Sequence, residues 1–316
     1  MSRMIFVPQL PTDMRYQSWW FMDFEEQFKK HFDLVTVLGK DILRASSIVA
    51  FRDNLDAFSN TQLAVRFEME QIKEFMELEL QDDDTLFLAD LSFPGLFTNV
   101  LYHKRPKKCF AFCHATSKNR YDYFQPVRKS KWKVEYAHSK MFNRVFVASY
   151  YHKFKLGSRW RNIVVTAIPN PPFKTYNLEK TRNIISVSRP SIQKVNKRLE
   201  RKVERKFGKI WRTTFDNWDD YYKYVSESKV MLITAKEETY GYQVIDAVLN
   251  NCVPIALTKF SYRDILPREY LYNSEEELYA LVSKVLEGKL VVPQLLNQHF
   301  VSNFWDRIVN YMKRDF

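Results

Sequence analysis

The sequence has few cysteines and glycines and no long apolar run. Only three cysteines and six glycines occur in 316 residues. An odd number of cysteines without a disulfide framework indicates a reducing compartment. No apolar run approaches the roughly 20 residues that span a bilayer, and the N-terminal MSRMIFVPQL lacks the apolar core and cleavage site of a signal peptide. We therefore expect a cytoplasmic protein without a transmembrane segment.

Metal ligands at suitable spacing are also scarce. Cys109, Cys113 and His114 are close in sequence, but no second ligand pair at zinc spacing follows them, so buried strand cysteines are favoured over a zinc site. Three aspartates at 82–84 precede a predicted strand instead of following it. Ligands bind at the carboxyl ends of parallel strands, so a solvated turn is favoured over a metal site there. We expect neither a metal nor a cofactor.

Acidic residues are nearly absent from one part of the chain. Residues 91–170 contain 16 Lys and Arg against 2 Asp and Glu, whereas residues 1–90 contain 9 against 17. Within the basic part, KNRYDYFQPVRKSKWKV interleaves cations with aromatic residues, which suits phosphate neutralisation and base stacking. The alternative is a solvated loop whose charges only aid solubility. The concentration of positive charge favours a surface that faces a polyanion.

Apolar runs and amphipathic stretches alternate along the chain. MIFVPQL, DLVTVLG, TLFLADL, KCFAFCHA, NRVFVASYY and NIVVTAIPNPP predict strands with helices between them, and NIISVSR, KVMLITA and VPIAL continue the pattern. The Pro-rich segment 169–172 predicts a linker. We expect an α/β protein with two Rossmann-like domains, 1–168 and 169–296, and a C-terminal helix within 297–316 that packs back on the first domain.

Two carboxylates flank a glycine in EETYGYQVIDAVLNNCVPIA. Glu238 follows the strand KVMLITA, and Asp246 lies about two turns into the next helix. At 1.5 Å per residue they are too far apart to share a proton, but they can contact different parts of one elongated ligand. Gly241 predicts a close approach of the backbone to that ligand.

This stretch resembles the E-x7-E signature of retaining GT-B glycosyltransferases of the glycogen-synthase-like class. The resemblance implies two Rossmann-like domains that face each other across a cleft, and transfer of a sugar from a nucleotide-diphosphate sugar to a hydroxyl group with retention. It places Glu238 beside the donor sugar, with Thr239, Tyr240 and Gly241 on the donor side, and Asp246 at the ribose hydroxyls.

Weaker similarities extend the resemblance to nearly the whole chain. ISVSRPSIQKVN resembles the segment that grips the donor diphosphate, which implies that role for Arg189 and Lys194; as alternatives, Arg189 is a loop cation and Lys194 one of many cations on a basic helix. AFCHAT resembles the strand that ends in a histidine near the sugar. This makes His114 a catalytic candidate, or otherwise a core histidine. Asp90, at the end of TLFLADL, is a catalytic candidate on the acceptor side.

Two departures from the family pattern alter the expected site. Asp246 stands where the family has a second glutamate and is one methylene shorter. The glycine-rich turn after the first strand is replaced by PQLPTDMRYQSWW, in which Arg15 and Gln17 take the expected acceptor and phosphate positions.

The basic surface predicts the acceptor. In the GT-B family the N-terminal domain faces the acceptor, and phage enzymes of this architecture glycosylate hydroxymethylated pyrimidines in DNA. We therefore expect a DNA-binding glycosyltransferase, in the host cytoplasm if a bacteriophage encodes it. The expected acceptor contacts are Arg128, Lys129, Lys131, Trp132 and Lys133. The alternatives are a lipid-linked or surface-polysaccharide acceptor and a non-catalytic nucleic-acid-binding protein of the same fold.

Overall fold

The computed structural model describes residues 2–11, 16–40, 57–92, 95–120, 128–157, 159–188 and 194–314. These residues form two parallel sheets that follow one another along the chain. The intervening segment 166–181 contains the predicted linker and no regular element. Within the described residues, no helix is both long and apolar enough to cross a membrane.

The first sheet has six parallel strands in the order β2-β1-β3-β4-β5-β6. The strands are β1 (Arg3–Val7), β2 (Leu34–Val37), β3 (Thr85–Leu88), β4 (Lys108–Cys113), β5 (Arg144–Val147) and β6 (Ile163–Val165). The helices around it are α1 (Tyr16–Phe28), α2 (Ala57–Glu77), α3 (Phe97–Val100), α4 (Arg128–Ser139) and α5 (Tyr150–Leu156). The strands β1, β3, β4 and β5 are almost completely buried, which explains their nearly unbroken apolar sequences, whereas β2 begins at the exposed Leu34.

The second sheet has five parallel strands in the order β11-β10-β9-β7-β8. The strands are β7 (Arg182–Ile185), β8 (Ile210–Trp211), β9 (Ser228–Ile233), β10 (Val253–Leu257) and β11 (Leu271–Tyr272). The helices are α6 (Lys197–Phe207), α7 (Trp218–Ser226), α8 (Tyr242–Leu249), α9 (Tyr262–Ile265), α10 (Glu275–Leu286), α11 (Gln298–Ser302) and α12 (Phe304–Arg314). The strand order reverses between β7 and β9, and open α/β sheets bind ligands at the carboxyl ends of strands at such a switch point.

The hydrophobic core joins the two sheets. Phe6 of β1 packs with Phe24 and Phe28 of α1 on one face of the first sheet, and this cluster is continuous with the core of the second sheet. The C-terminal helix returns to the first sheet, where the Trp305 ring contacts both Phe24 and Phe28. Arg307 also donates a hydrogen bond to the Val165 carbonyl at 2.7 Å.

Some elements begin or end differently from the sequence interpretation. The basic helix, to which the alternative interpretation assigns Lys194, begins at Lys197, because Asn196 caps it by accepting a hydrogen bond from the Leu199 N–H at 3.3 Å. Residues 128–134 of the basic segment lie in α4 and do not form the solvated loop of the alternative interpretation. The single C-terminal helix expected within 297–316 is two helices that meet at Asn303.

Candidate functional site

The turn between β9 and α8 lies at the switch point of the second sheet. Gly241 adopts φ +94°, a left-handed conformation that favours glycine. A Cβ atom at this position would lie 2.9 Å from the Tyr262 ring. The left-handed backbone and the nearby Tyr262 ring both favour glycine at this position. The approach of its backbone to a ligand stays a prediction.

Glu238 forms an ion pair with Lys194 beside this turn. Glu238 Oε2 lies 2.6 Å from Lys194 Nζ, and the two side chains remain 20% and 24% exposed. Glu238 Oε1 accepts hydrogen bonds from the N–H groups of Thr239 at 3.0 Å and Tyr240 at 3.4 Å. Burial opposes the charged form, but Lys194 and the two N–H groups outweigh it and lower the pKa of Glu238. The pair is thus a charged group that a ligand can still reach.

The N-terminal domain holds this turn from the opposite side. Ser149 Oγ donates to the Thr239 carbonyl at 2.6 Å, and Thr239 Oγ1 donates to the His114 carbonyl at 2.9 Å. Lys155 Nζ of α5 forms an ion pair with Glu237 Oε1 at 2.7 Å. The 237–239 turn is therefore positioned by both domains. The sequence interpretation missed Lys155 and Glu237, because these partners are separated by 82 residues.

Asp246 is completely buried among tyrosine hydroxyls. The hydroxyls of Tyr221 and Tyr222 donate to it at 3.0 Å each, and the Tyr16 hydroxyl donates at 3.3 Å. Burial raises the pKa of Asp246 to about 7, although the three hydroxyls oppose that change. Three tyrosine hydroxyls thus occupy the carboxylate to which the family resemblance assigns the ribose, and its role in ribose binding stays a prediction. The consecutive tyrosines of WDDYYKY were the sequence signal for these partners.

Tyr16 places an aromatic ring of the N-terminal domain against the second domain. Its ring stacks on Tyr242 with centroids 3.7 Å apart, and Trp20 Nε1 donates to the Tyr242 hydroxyl at 2.8 Å. These rings belong to the loop and helix expected to contact the acceptor. Arg15 lies outside the described residues, as does the side chain of Gln17; their roles stay predictions.

His114 lies at the end of β4, between two aromatic rings. Its ring centroid is 4.1 Å from Trp20 and 4.6 Å from Phe112. Its Nε2 atom is buried and has no hydrogen-bond partner. Burial, with a smaller contribution from His152, lowers the pKa of His114 to about 3. The imidazole is therefore neutral and could accept or donate one hydrogen bond from a ligand.

Asp90 is a buried carboxyl group at the end of β3. Gln9 Nε2 donates to it at 2.5 Å and the Ser92 N–H donates at 2.9 Å. Burial raises the pKa of Asp90 to about 8; nearby Lys131 opposes this weakly. Asp90 thus lies in an environment that favours its protonated form. Its role on the acceptor side stays a prediction.

The predicted acceptor residues do not form one uniform surface. Arg128, Lys129 and Lys133 are exposed on α4. Lys131 is half-buried, and its charge acts on three buried carboxyl groups, those of Glu68, Asp90 and Glu135. Trp132 is also half-buried, stacked on Trp160 at 5.6 Å with Lys118 Nζ 4.3 Å above its ring. Three of the five α4 positions thus carry solvent-exposed cations, and their contacts with phosphates stay a prediction.

Arg189 and the three aspartates at 82–84 complete the residues considered from the sequence. Arg189 lies outside the described residues, so its contact with a diphosphate stays a prediction. Of the three aspartates at 82–84, Asp84 pairs with Arg3 and Asp82 with Lys107. Among the residues that the structure describes, no cluster of three or more His, Cys, Asp or Glu could hold a metal ion.

Comparison with solved structures identifies the fold. Sucrose-phosphate synthase from Thermosynechococcus elongatus is 11% identical with a TM-score of 0.64, covering 99% of this chain and 97% of its own. Anabaena HepE, solved with UDP and glucose, is 12% identical with a TM-score of 0.66 and 99% coverage of both chains. The lipopolysaccharide outer core galactosyltransferase WaaB is 11% identical with a TM-score of 0.61, and the match covers 98% of both chains. The chain has the GT-B fold, as the sequence predicted.

Sequence comparison finds more limited similarity. No family model matches the chain. A tRNA-queuosine alpha-mannosyltransferase of Drosophila melanogaster is 27% identical over 123 residues, which are 39% of this chain and 33% of that protein. The match thus spans about a third of the length of this curated relative.

Proposed function

We propose that this protein is a glycosyltransferase that moves a sugar from a nucleotide-diphosphate sugar to a hydroxyl group on nucleic acid. The observation that carries the proposal is the Glu238–Lys194 pair at the switch point between β7 and β9, where GT-B sheets meet their ligands. The structural neighbour HepE was solved with UDP and glucose, which supports a nucleotide-sugar donor for this fold.

In this proposal Lys194 stabilises the leaving diphosphate. Negative charge develops on the diphosphate as the glycosidic bond breaks, and a positioned ammonium group stabilises that charge. Arg189, which follows β7 in the sequence, is proposed to assist. Glu238, kept ionised by Lys194 and two N–H groups, lies beside the sugar and stabilises positive charge on the ring carbon. Retention of configuration rests on the E-x7-E resemblance.

Asp246 is proposed to bind the ribose after the Tyr16 hydroxyl is displaced. The Tyr221 and Tyr222 hydroxyls would then keep the carboxylate in place while the ribose hydroxyls take the position of Tyr16. On the acceptor side, neutral His114 and protonated Asp90 are proposed to orient the attacking hydroxyl by hydrogen bonds, while its proton passes to the leaving diphosphate oxygen.

The proposed acceptor is a hydroxymethylated pyrimidine in DNA, and tRNA is the second candidate. The exposed cations Arg128, Lys129 and Lys133 support a nucleic acid of either kind. The name of the curated relative, a tRNA mannosyltransferase, favours the second. A transfer assay should offer both acceptors with a panel of nucleotide-sugars and measure the mass added to each nucleoside. Glu238→Gln is the test variant and exposed Glu276→Gln its control; sugar transfer to lipid or polysaccharide acceptors alone would refute the nucleic-acid acceptor.

The phosphate contacts can be tested separately. Replacing Arg128, Lys129 and Lys133 with Ala should reduce the slope of log affinity against log salt by about 0.9 per lost phosphate contact on duplex DNA. Lys131→Ala is the matched comparison, because its charge faces buried carboxyl groups, and it should leave the slope nearly unchanged. An unchanged slope in the triple variant, with weaker binding to anionic liposomes, would favour a membrane-associated acceptor.

A further inference from the structure

The short helix α5 presents three faces with different surroundings. Ser149 caps it by accepting a hydrogen bond from the His152 N–H at 3.1 Å. One face, with His152 and Leu156, is fully buried within the N-terminal domain. This packing fixes the helix on the first sheet.

The second face fixes α5 to the turn that carries Glu238. The Tyr151 N–H donates to Asp264 Oδ2 at 2.9 Å, and Lys155 pairs with Glu237 at 2.7 Å. The cap residue Ser149 reaches the Thr239 carbonyl. Because these contacts come from both ends of the helix, α5 has a defined position relative to the neighbouring Glu238.

The third face exposes two aromatic rings and a lysine. Phe154 is 83% exposed, the most exposed large hydrophobic side chain among the described residues, and Tyr150 is 55% exposed. They are four residues apart and therefore lie on one face of the helix, with exposed Lys153 between them. A single exposed apolar side chain is normal on a protein surface. Two exposed rings on a helix that is fixed beside Glu238 instead indicate a contact surface.

The surroundings of this face are cationic. Lys155 Nζ lies 3.5 Å from the Lys118 carbonyl, and the Lys118 ammonium lies over the Trp132 ring of α4. Arg159 and Arg161, just beyond α5, are exposed. Exposed cations thus follow the exposed rings of α5 closely in the chain, and this combination suits a ligand with both phosphates and planar bases.

We propose that Phe154 and Tyr150 form a stacking platform for an unstacked base of the nucleic-acid acceptor, next to the base that receives the sugar. The inference rests on the proposed function, in that the acceptor is a nucleic acid. It adds that the acceptor segment is single-stranded, looped or locally opened at α5, since a ring can stack only on a base that has left its neighbours.

The test compares Phe154→Ala with Phe154→Tyr and with Tyr102→Ala. Tyr102 is the matched control, because it is 53% exposed in the same domain but lies after α3. By fluorescence anisotropy, Phe154→Ala should bind a single-stranded oligonucleotide roughly ten-fold more weakly, and Phe154→Tyr and Tyr102→Ala should bind as the unaltered protein does. A 2-aminopurine in the oligonucleotide should be quenched by the unaltered protein and not by Phe154→Ala.

Two results would overturn the platform. One is equal oligonucleotide affinity and quenching in Phe154→Ala and the unaltered protein. The other is that Phe154→Ala loses binding to vesicles of phosphatidylserine and phosphatidylcholine but still binds the oligonucleotide. This result would mean that the rings contact a membrane and not a base. Hydrolysis of nucleotide-sugars is measured in parallel. If Phe154→Ala loses stacking but neither the unaltered protein nor any variant turns over a donor, the platform is kept and the enzymatic function is rejected. If the unaltered protein turns over a donor but Phe154→Ala shows no loss of stacking, the enzymatic function is kept and the platform is rejected.

Discussion

Tyr16→Phe should strengthen donor binding. The substitution removes only the hydroxyl that donates to Asp246 at 3.3 Å and keeps the ring that stacks on Tyr242 at 3.7 Å. If ribose hydroxyls must replace the Tyr16 hydroxyl, the substitution removes from the free protein a hydrogen bond that competes with the donor. Hydrogen bonds to charged groups contribute about 1.5–3 kcal/mol, but this one is long and is one of three. We expect about 1 kcal/mol, or roughly five-fold tighter binding.

Isothermal titration with a panel of nucleoside diphosphates measures this effect. Tyr279→Phe is a suitable control, since that tyrosine also donates to a carboxylate of the second domain, Glu275, far along the chain from Asp246. Asp246→Asn should weaken binding in the same experiment. Unchanged or weaker binding by Tyr16→Phe would refute the competition. Unchanged binding by Asp246→Asn would make Asp246 a structural partner of the tyrosines and remove it from the donor site.

Other outcomes follow from the same contacts. Glu238→Gln should lower kcat more than donor affinity, whereas Asp246→Asn should weaken donor binding by about 1–3 kcal/mol; equal effects in steady-state kinetics would contradict these separate roles. Lys155→Met should lower the free energy of unfolding by roughly 1–3 kcal/mol in denaturant titrations, because it removes the ion-pair partner of buried Glu237. The exposed Lys153→Met should leave that free energy unchanged, and equal values for the two variants would dismiss the contact. Turnover should survive EDTA if, as proposed, Lys194 neutralises the diphosphate without a metal. Loss of turnover with rescue by magnesium or manganese would overturn this. The pKa of Asp246 is raised from 3.8 to about 7, so this group favours the folded state at low pH, and that contribution is lost as the pH rises through 7. Asp246→Asn should reduce this loss of stability in unfolding titrations between pH 5 and 8. An identical dependence of stability on pH in the variant and the unaltered protein would contradict this.

The local parts of the site could be predicted from the sequence. The strand, turn and helix around Glu238 follow from an apolar run, a glycine and an amphipathic run that are adjacent in the chain. Parallel strands bring their carboxyl ends to one edge, which explains why Lys194 after β7 meets Glu238 after β9. These contacts depend on short-range patterns and a regular sheet.

The contacts between the domains could not be predicted in this way. Tyr16 meets Asp246 across 230 residues and Lys155 meets Glu237 across 82, and no periodicity specifies which side chains two packed domains bring together. The inward direction of Lys131 was missed for a similar reason. Charge counting treats every cation of a basic helix alike, whereas Lys131 is half-buried and its charge acts on the buried carboxyl groups of Glu68 and Glu135.

The most direct test of the nucleotide-sugar donor is a thermal-shift panel. The free protein is heated with nucleosides, nucleoside diphosphates and nucleotide-sugars, alongside Lys194→Ala and the exposed Lys197→Ala. At 100 times its dissociation constant, a bound ligand stabilises the fold by about 2.7 kcal/mol. We expect at least one nucleotide-sugar and its nucleoside diphosphate to raise the Tm, Lys194→Ala to abolish that rise, and the bare nucleoside to have little effect. No shift with any diphosphate, while nucleic acid still raises the Tm, would contradict the donor site and leave a nucleic-acid-binding protein of the GT-B fold.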